Sequence, residues 1–312
     1  MAAMRFDIIK CHGSGNDFAL IDARAIALSD SEWAQVARAL ADRSGPVGGD
    51  GILLLTAGDG DAAFGMRIFN ADGSEPETCL NGLRCVARAG MEALAIDDAV
   101  VRLKTSHAAV ARDPALASGV FTVRETAGPA TLDVGEWPLL GEGREIVDRP
   151  IARLSSDLAF TAVAIPNPHL IAFVETVDEA ELVRIGTICE GAPDWLPNRA
   201  NVSFVEVRGP DLLYVRTFER GVGLTDACGS AMGSATFAAG LTGRLGFDRL
   251  VTVCNAGGLV RATARADGMV TLSGNATFEW RGAVSVDLAR AVASDLTVTR
   301  RHEDEIAAWA AI

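Results

Sequence analysis

Hydrophobic positions along the chain fall into short runs separated by glycine, proline, asparagine and aspartate. Several runs alternate with polar residues or are rich in β-branched ones, which predicts strands at 66–70, 101–105, 202–207 and 213–218. Longer stretches with capping candidates or helical periodicity predict helices at 31–42, 80–93, 177–190 and 229–242. Strands interrupted by single helices indicate a mixed α/β (α+β) chain.

The same pattern occurs twice. Residues 66–70 (MRIFN) are followed nine positions later by Cys79, and residues 215–219 (VRTFE) nine positions later by Cys228, an offset of 149. At that offset 101–105 also lies over 250–254, and at 151 residues 50–54 lie over 201–205. We therefore infer two similar halves related by a pseudo-twofold axis, with the two cysteines at equivalent positions.

A length of 312 residues favours two domains over one. We expect an N-terminal domain at 1–126 and a C-terminal domain at 127–281, with residues 282–312 as candidates for returning to the first. The end of the tail, 302–312, is either a short amphipathic helix or a disordered end.

Composition excludes several classes of protein. Hydrophobic residues make up 49% and charged residues 22%, which provides material for packed cores. The net charge of −13 disfavours nucleic acid as a partner. No apolar run approaches the roughly 20 residues of a membrane span, and Arg5 interrupts any signal peptide. We expect a cytoplasmic protein that binds neither membrane nor nucleic acid.

The sequence favours chemistry without a metal or cofactor. None of the six cysteines is spaced as in a C-x-x-C zinc motif, so all six are expected to be reduced thiols. A pyridoxal cofactor would need a lysine, and only Lys10 and Lys104 are present. Any function of the cysteines would then be nucleophilic, acid/base or redox.

Cys79 and Cys228 each directly precede a predicted helix. The helix dipole is expected to lower the pKa of such a thiol, and the first N–H groups of each helix could bind an anion. Inverting a stereocentre next to a carboxylate requires a base on one face and an acid on the other, which two thiols can supply. The alternative is that cysteines serve as small buried hydrophobes, which we keep for the other four: Cys11, Cys85, Cys189 and Cys254.

Six segments carry a family resemblance: HGSGNDF (12–18), NADGSE (70–75), CLNGLR (79–84), NPH (167–169), NV (201–202) and ERGVGLTDACG (219–229). In these segments the chain resembles the diaminopimelate epimerase family, in the right order and over nearly its whole length. The resemblance implies a pyridoxal-independent epimerase that converts LL-2,6-diaminopimelate to the meso form, in lysine and peptidoglycan precursor biosynthesis. It also implies two pseudo-symmetric domains, each a curved mixed sheet or barrel around a central helix, and suggests a homodimer.

The resemblance assigns roles residue by residue. Cys79 and Cys228 match the two catalytic bases, and His169 and Glu219 match positions that support catalysis. The residues expected to bind the amino-acid substrate are Asn16, Asn70, Leu80, Asn81, Asn167, Asn201, Glu219, Arg220, Gly229 and Ser230. Taken singly, the asparagines in turns could be turn formers, Glu219 and Arg220 a surface pair, and His169 a core histidine.

The chain departs from the family pattern at a few positions. Leu80 stands where the family usually has glycine, Gly51 where it usually has glutamine, and Ser230 where it usually has threonine. These differences motivate an alternative function, a related racemase for another amino acid such as histidine or a diamino acid. A non-catalytic amino-acid-binding protein and a thiol redox sensor are further alternatives.

Overall fold

The computed structural model describes residues 3–77, 79–137 and 139–312. In this part of the chain the fold is mixed α+β and dominated by strands. The helices are α1 (Asp30–Ala41), α2 (Leu80–Leu94), α3 (Glu179–Glu190), α4 (Gly229–Leu241) and α5 (Glu303–Ala310). The strands are β1 (Met4–Gly13), β2 (Asn16–Asp22), β3 (Gly51–Ala57), β4 (Phe64–Asn70), β5 (Asp98–Arg102), β6 (His107–Asp113), β7 (Thr122–Ala127), β8 (Arg149–Pro150), β9 (Ala159–Ile165), β10 (Asn167–Phe173), β11 (Asn201–Gly209), β12 (Leu212–Glu219), β13 (Gly223–Thr225), β14 (Val251–Asn255), β15 (Gly258–Ala264), β16 (Val270–Asn275), β17 (Thr277–Asp287) and β18 (Val292–Arg301).

The chain divides into two compact units. Unit 1 comprises Met1–Glu125 and Ser273–Ile312, and unit 2 comprises Thr126–Leu272. The chain therefore leaves unit 1 within β7 and returns to it within β16. Among the helices of the described residues, we find none that combines the length and the apolar character needed to cross a membrane.

Both units have the same strand topology. In unit 1, β1 to β6 pair in sequence, with parallel pairs β2–β3 and β4–β5 and antiparallel pairs between. In unit 2, strands β9, β10, β11, β12, β14 and β15 repeat this order, with parallel pairs β10–β11 and β12–β14. Each parallel pair needs a crossover connection, which α1 and α2 supply in unit 1 and α3 and α4 in unit 2. The internal repeat inferred from the sequence is confirmed by this topology.

A central helix lies against each sheet. Helix α2 contacts all six strands from β1 to β6, and α4 contacts the six equivalent strands of unit 2. Six flat strands would span about 24 Å, more than a helix of about 10 Å diameter can cover, so each sheet must curve around its helix. Side chains on all sides of both helices are buried, among them Leu83, Val86, Ala231 and Ala235. The predicted fold class is confirmed.

Helices α1 and α3 cover the outer faces of the sheets. In unit 1, Val36 and Leu40 of α1 pack with Ile52 and Leu54 of β3. Leu53, which points to the opposite face of β3, lies next to α2 at Gly82. The strand is apolar throughout because both of its faces are buried.

The helix boundaries agree with the sequence-based predictions to within two residues, and so do three of the four predicted strands, whereas β5 differs. The capping box of Ser29 and Glu32 begins α1, and Asp178 caps α3 by accepting two backbone N–H groups. Strand β5 ends at Arg102 rather than at 105, because the chain turns there and Leu103 N–H donates to Ser106 O. Strand β18 was not predicted, and the tail after it forms α5.

Candidate functional site

Cys79 is the N-cap residue of α2. Its backbone is extended (φ −149°, ψ 108°), and its Sγ accepts a hydrogen bond from Gly82 N at 3.4 Å. Helix geometry leaves the N–H groups of Leu80 and Asn81 without acceptors inside the helix. The first turn of α2 therefore combines a thiol with backbone donors suited to an anion.

The thiol of Cys79 contacts Asn16, the first residue of β2. Its Sγ lies 3.6 Å from Asn16 Oδ1, and Asn16 Nδ2 donates to Asp50 Oδ2 at 2.5 Å. Asp50 directly precedes β3, and the parallel pairing of Phe18 with Gly51 brings the starts of β2 and β3 side by side. The sheet register thus places Asp50 behind Asn16 and Asn16 against Cys79.

Asp50 belongs to a cluster of charged side chains. Arg43 bridges Asp50 and Asp17, with N–O distances of 2.7 and 2.8 Å, and Lys10 Nζ lies 2.5 Å from Asp17. Burial opposes ionisation of Asp17, but hydrogen bonds from Arg43 and Lys10 outweigh it and hold its pKa below the usual value. Lys10 is buried and donates to Gly48 O as well, so its amine is engaged in structural contacts.

Arg84 fixes the first turn of α2 from inside the protein. This fully buried guanidinium donates to Asn81 Oδ1 at 2.7 Å, Ser14 Oγ at 3.2 Å and Asn275 O at 3.1 Å. It also forms a 2.7 Å ion pair with the fully buried Glu125. The side chain of Asn81 is therefore held by these hydrogen bonds, while its backbone N–H is one of those in the first turn of α2 that have no acceptor inside the helix.

Glu125 is the acidic partner in this network. Burial raises its pKa to about 7, although the charge and hydrogen bond of Arg84 act in the opposite direction. Its Oε1 accepts from Arg84, whereas Oε2 has no hydrogen-bond partner among the described residues. Desolvation of this second oxygen accounts for the direction of the shift.

Cys228 occupies the equivalent position in unit 2, as N-cap of α4. Its backbone is again extended (φ −134°, ψ 104°), and its Sγ lies 3.5 Å from Ser230 Oγ. Like Leu80 and Asn81, Gly229 and Ser230 are the first two residues of their helix, so their N–H groups lack intrahelical acceptors. The thiol is buried.

The expected lowering of the pKa is wrong for Cys228. Burial and the neighbouring Glu219 carboxylate raise the pKa of this thiol well above its ordinary value. Hydrogen bonds from Ser230 and from the N–H of Ala231 act in the opposite direction but are outweighed. The helix terminus favours the thiolate, as the sequence suggested, yet desolvation has the larger effect.

His169 lies on β10 and is fully buried. Its Nε2 is 3.0 Å from Ser230 Oγ and 3.4 Å from Asn201 Nδ2, while its Nδ1 has no hydrogen-bond partner among the described residues. Burial, with a smaller contribution from the charge of Arg220, lowers its pKa to about 3. The imidazole is therefore neutral, and Nε2 accepts from the Asn201 amide.

Asn201 connects His169 to the end of β12. The parallel register pairs His169 directly with Asn201, and Asn201 Oδ1 accepts from Arg220 N at 3.0 Å. The Arg220 guanidinium donates to Asn198 O at 3.1 Å. In unit 2 the structure thus brings together Cys228, Ser230, His169, Asn201, Glu219 and Arg220.

Two expected site residues show contacts characteristic of turns and strand ends. Asn70, the last residue of β4, donates to Ser74 Oγ at 3.0 Å within the turn that follows. Asn167 begins β10 and pairs with Ile165.

Several polar residues of the site regions were not predicted from the sequence. Asp50 and Arg43 are exposed residues in glycine-rich or helix-end segments, which resemble ordinary turns, and Arg84 and Glu125 lie 41 positions apart. Only the charge of Arg84 within a largely apolar stretch of α2 could have signalled a buried partner. Gly51, noted as a departure, has a steric explanation, because a Cβ there would lie 2.2 Å from Phe69 O.

The remaining cysteines are thiols in the two cores. Cys11, Cys85 and Cys189 are buried, and Cys254 is half-buried in β14. Burial raises the pKa of Cys189 to about 12.

Among the described residues, no cluster of three or more His, Cys, Asp or Glu side chains is arranged to hold a metal ion.

Known structures share this fold at low sequence identity. The PhzF-family phenazine biosynthesis protein of Bacillus anthracis aligns with a TM-score of 0.65 and 14% identity, over 90% of this chain and 99% of its own. A hydroxyproline epimerase from Agrobacterium vitis also aligns with a TM-score of 0.65 and 14% identity, over 92% of this chain and 93% of its own. At this identity the likeness concerns the fold alone.

Sequence comparison gives a closer relationship. The diaminopimelate epimerase of Clostridium acetobutylicum is 39% identical over 290 residues, covering 91% of this chain and 87% of its own length. That of Listeria welshimeri is 36% identical over 318 aligned positions, covering 98% and 96%. The family model for diaminopimelate epimerase matches residues 8–110 and 161–279. The chain belongs to the diaminopimelate epimerase family.

Proposed function

We propose that this chain converts LL-2,6-diaminopimelate to meso-diaminopimelate without a cofactor, as an isomerase in lysine and peptidoglycan precursor biosynthesis. One observation carries the proposal: two units of equivalent topology each have a cysteine at the N-cap of the central helix. Epimerisation needs a base and an acid of similar kind for the two faces of one carbon. The repeat supplies one such group per unit, and we interpret each unit as one half of the epimerase.

In the proposed reaction, one cysteine thiolate removes the proton from the substrate Cα and becomes a thiol. The electron pair of the broken C–H bond is delocalised into the adjacent carboxylate. The thiol of the second cysteine then donates its proton to the opposite face of the carbon and becomes a thiolate. Cys79 and Cys228 exchange these roles in the reverse direction.

The main contribution to the activation barrier is the negative charge that develops on the carboxylate. The N–H groups of Leu80, Asn81, Gly229 and Ser230 are the proposed donors, because they lack acceptors within their helices. Leu80 differs from the family's usual glycine only in its side chain, so its N–H is unaffected. Neutral His169, whose Nε2 lies 3.0 Å from Ser230 Oγ, would hold the Ser230 side chain in place. The Glu219 carboxylate would favour the protonated state of Cys228.

Recognition of the distal end of the substrate is assigned to polar side chains. A planar guanidinium suits a carboxylate, and a carboxylate suits an ammonium group, which assigns Arg220 and Glu219. The amides proposed to complete this recognition are Asn16, Asn70, Asn167 and Asn201. A small amino acid is thus the expected partner. A homodimer, a cytoplasmic location and the absence of membrane or nucleic-acid partners stay predictions.

Proton NMR in D2O tests the function directly. Reduced wild-type enzyme should exchange the Cα–H of LL-diaminopimelate and generate the meso form, and Cys79→Ala and Cys228→Ala should each lose epimerisation. Cys254→Ala is the matched control, because it removes a half-buried thiol from unit 2 and should keep activity. Exchange of another amino acid but not of diaminopimelate would instead establish the related racemase, and full activity of both cysteine variants would disprove the two-base mechanism.

A further inference from the structure

We propose that Asp50 is a positioning residue that orients the side-chain amide of Asn16, so that a carbonyl oxygen faces the thiol of Cys79. Its significance for catalysis rests on the function proposed above, in which Cys79 takes up and releases a proton. Asp50 itself acts only through Asn16.

The Asp50 carboxylate is held by three donors. Oδ2 accepts from Asn16 Nδ2 at 2.5 Å and from the backbone N of Asp17 at 3.1 Å, while Oδ1 lies 2.7 Å from Arg43. The backbone of Asp50 is fixed too, because its N–H donates to Asp17 O at 2.8 Å and its carbonyl accepts from Ala71 N at 3.1 Å. The carboxylate therefore has a defined place relative to β2.

A carboxylate can only accept hydrogen bonds, whereas an amide has one end that donates and one that accepts. With Asp50 on one side, Asn16 must present its NH2 group to it, because the flipped amide would bring two acceptor oxygens together. The opposite end of the amide, Oδ1, is then 3.6 Å from Cys79 Sγ. The orientation of Asn16 thus follows from the chemistry of Asp50.

This orientation affects the proton of Cys79. An acceptor oxygen stabilises the S–H form, whereas the Gly82 N–H, 3.4 Å away on the other side, stabilises the thiolate. If the amide were free to turn, its NH2 group could donate to the sulfur and favour the thiolate as well. Asp50 therefore prevents Asn16 from trapping Cys79 in its deprotonated state.

Other charges near this network must be separated from the effect. Asp17 lies in β2 and pairs with Lys10 of β1. Arg43 follows α1, and Arg84 lies within α2. Arg43 and Lys10 would lower the pKa of a nearby thiol, and Asp17 would raise it. A test of Asp50 therefore needs a variant that changes charge in the cluster without changing the acceptor of the Asn16 amide.

The experiment is the pH dependence of alkylation of Cys79 by iodoacetamide, followed by mass spectrometry. Cleavage after arginine releases residues 68–84, which contain Cys79 and no other cysteine. In Asp50→Ala, which leaves no acceptor for Asn16 Nδ2, we expect the midpoint of alkylation to fall by about one pH unit, because the amide is released and a negative charge is removed. Asn16→Ala should also lower the midpoint, since the acceptor is lost.

In the Asn16→Ala background, Asp50→Ala should lower the midpoint by less than it does in the wild type, because only the loss of the negative charge then remains. Arg43→Gln is the matched control: it removes a charge bonded to Asp50 but leaves the carboxylate to accept from Asn16, so the midpoint should not fall. An unchanged midpoint in both single variants would overturn the proposal. An equal fall from Asp50→Ala with and without Asn16 would overturn it too, since Asp50 would then act through its charge alone.

This test requires no substrate. If the wild-type protein shows no epimerisation, the proposed function is refuted, but the alkylation result still holds. Conversely, an active wild-type enzyme with an unchanged alkylation midpoint in both variants would retain the function and refute the role of Asp50.

Discussion

Replacing Glu125 by glutamine would change the buried ion pair that supports the first turn of α2. Glu125 and Arg84 are both fully buried, and burial raises the pKa of Glu125 from 4.5 to about 7. The folded state thus binds a proton more tightly than the unfolded state does. The stabilisation that this proton provides is complete below about pH 4.5 and is lost as the pH rises through about 7.

The size of the effect follows from the shift. One pKa unit corresponds to about 1.4 kcal/mol, so the shift is worth about 3 kcal/mol in the free energy of unfolding. Glutamine has nearly the same shape and does not titrate. We therefore compare the free energy of opening of α2 in the wild type with that in Glu125→Gln. The wild-type value minus the variant value should fall by about 3 kcal/mol as the pH rises from 4 to 8.

Hydrogen exchange of α2 peptides is the suitable assay, because a protein of two units has no single free energy of unfolding. Groups common to both proteins, including Glu279 with its raised pKa, cancel in the difference. Peptides from α4 provide an internal control, since unit 2 lacks Glu125. A difference in α2 that stays constant from pH 4 to pH 8 would refute this reasoning, because Glu125 would then not titrate in that range.

Two further substitutions test the packing of unit 1. Gly51→Ala would place a Cβ 2.2 Å from Phe69 O and should lower the opening free energy of β3 by about 1–3 kcal/mol, measured by hydrogen exchange of β3 peptides. Gly233→Ala in α4 of unit 2 is the control: its nearest neighbours are at 3.5 Å, so the exchange of α4 peptides should change little, and equal effects of the two substitutions would contradict the steric argument. Glu305→Gln removes the negative charge that pairs with Arg88 and should weaken the docking of α5 by about 2 kcal/mol. The expected result is faster hydrogen exchange in residues 303–310, and unchanged exchange there would show that the ion pair is dispensable.

Features with local causes could be predicted from the sequence. The central helices follow from their largely apolar composition on most sides, and the offset of 149 residues revealed the repeat. The N-cap position of both cysteines follows from these helix starts. Strand β18 gave only a weak signal, because most of its side chains are exposed and its apolar and polar positions alternate only over residues 296–299.

Contacts set by tertiary register could not be predicted. The approach of Asp50 to Asn16 depends on the parallel pairing of β2 and β3, which no local pattern specifies. The pKa of Cys228 depends on how far burial outweighs the helix terminus, and sequence alone gives only the second of these effects. The pairing of Arg84 with Glu125 likewise needs the path of the chain from α2 to β7.

The pairing of β1 with β17 has a consequence for how the chain folds as it is synthesised. Strand β1 ends at Gly13 and its partner β17 begins at Thr277, so about 260 residues must be translated between them, which takes about 15–50 s. During that time one edge of β1 lacks its final neighbour and could pair with another nascent chain. Unit 2 is continuous in sequence and can complete its core while the ribosome is still adding the last strands of unit 1.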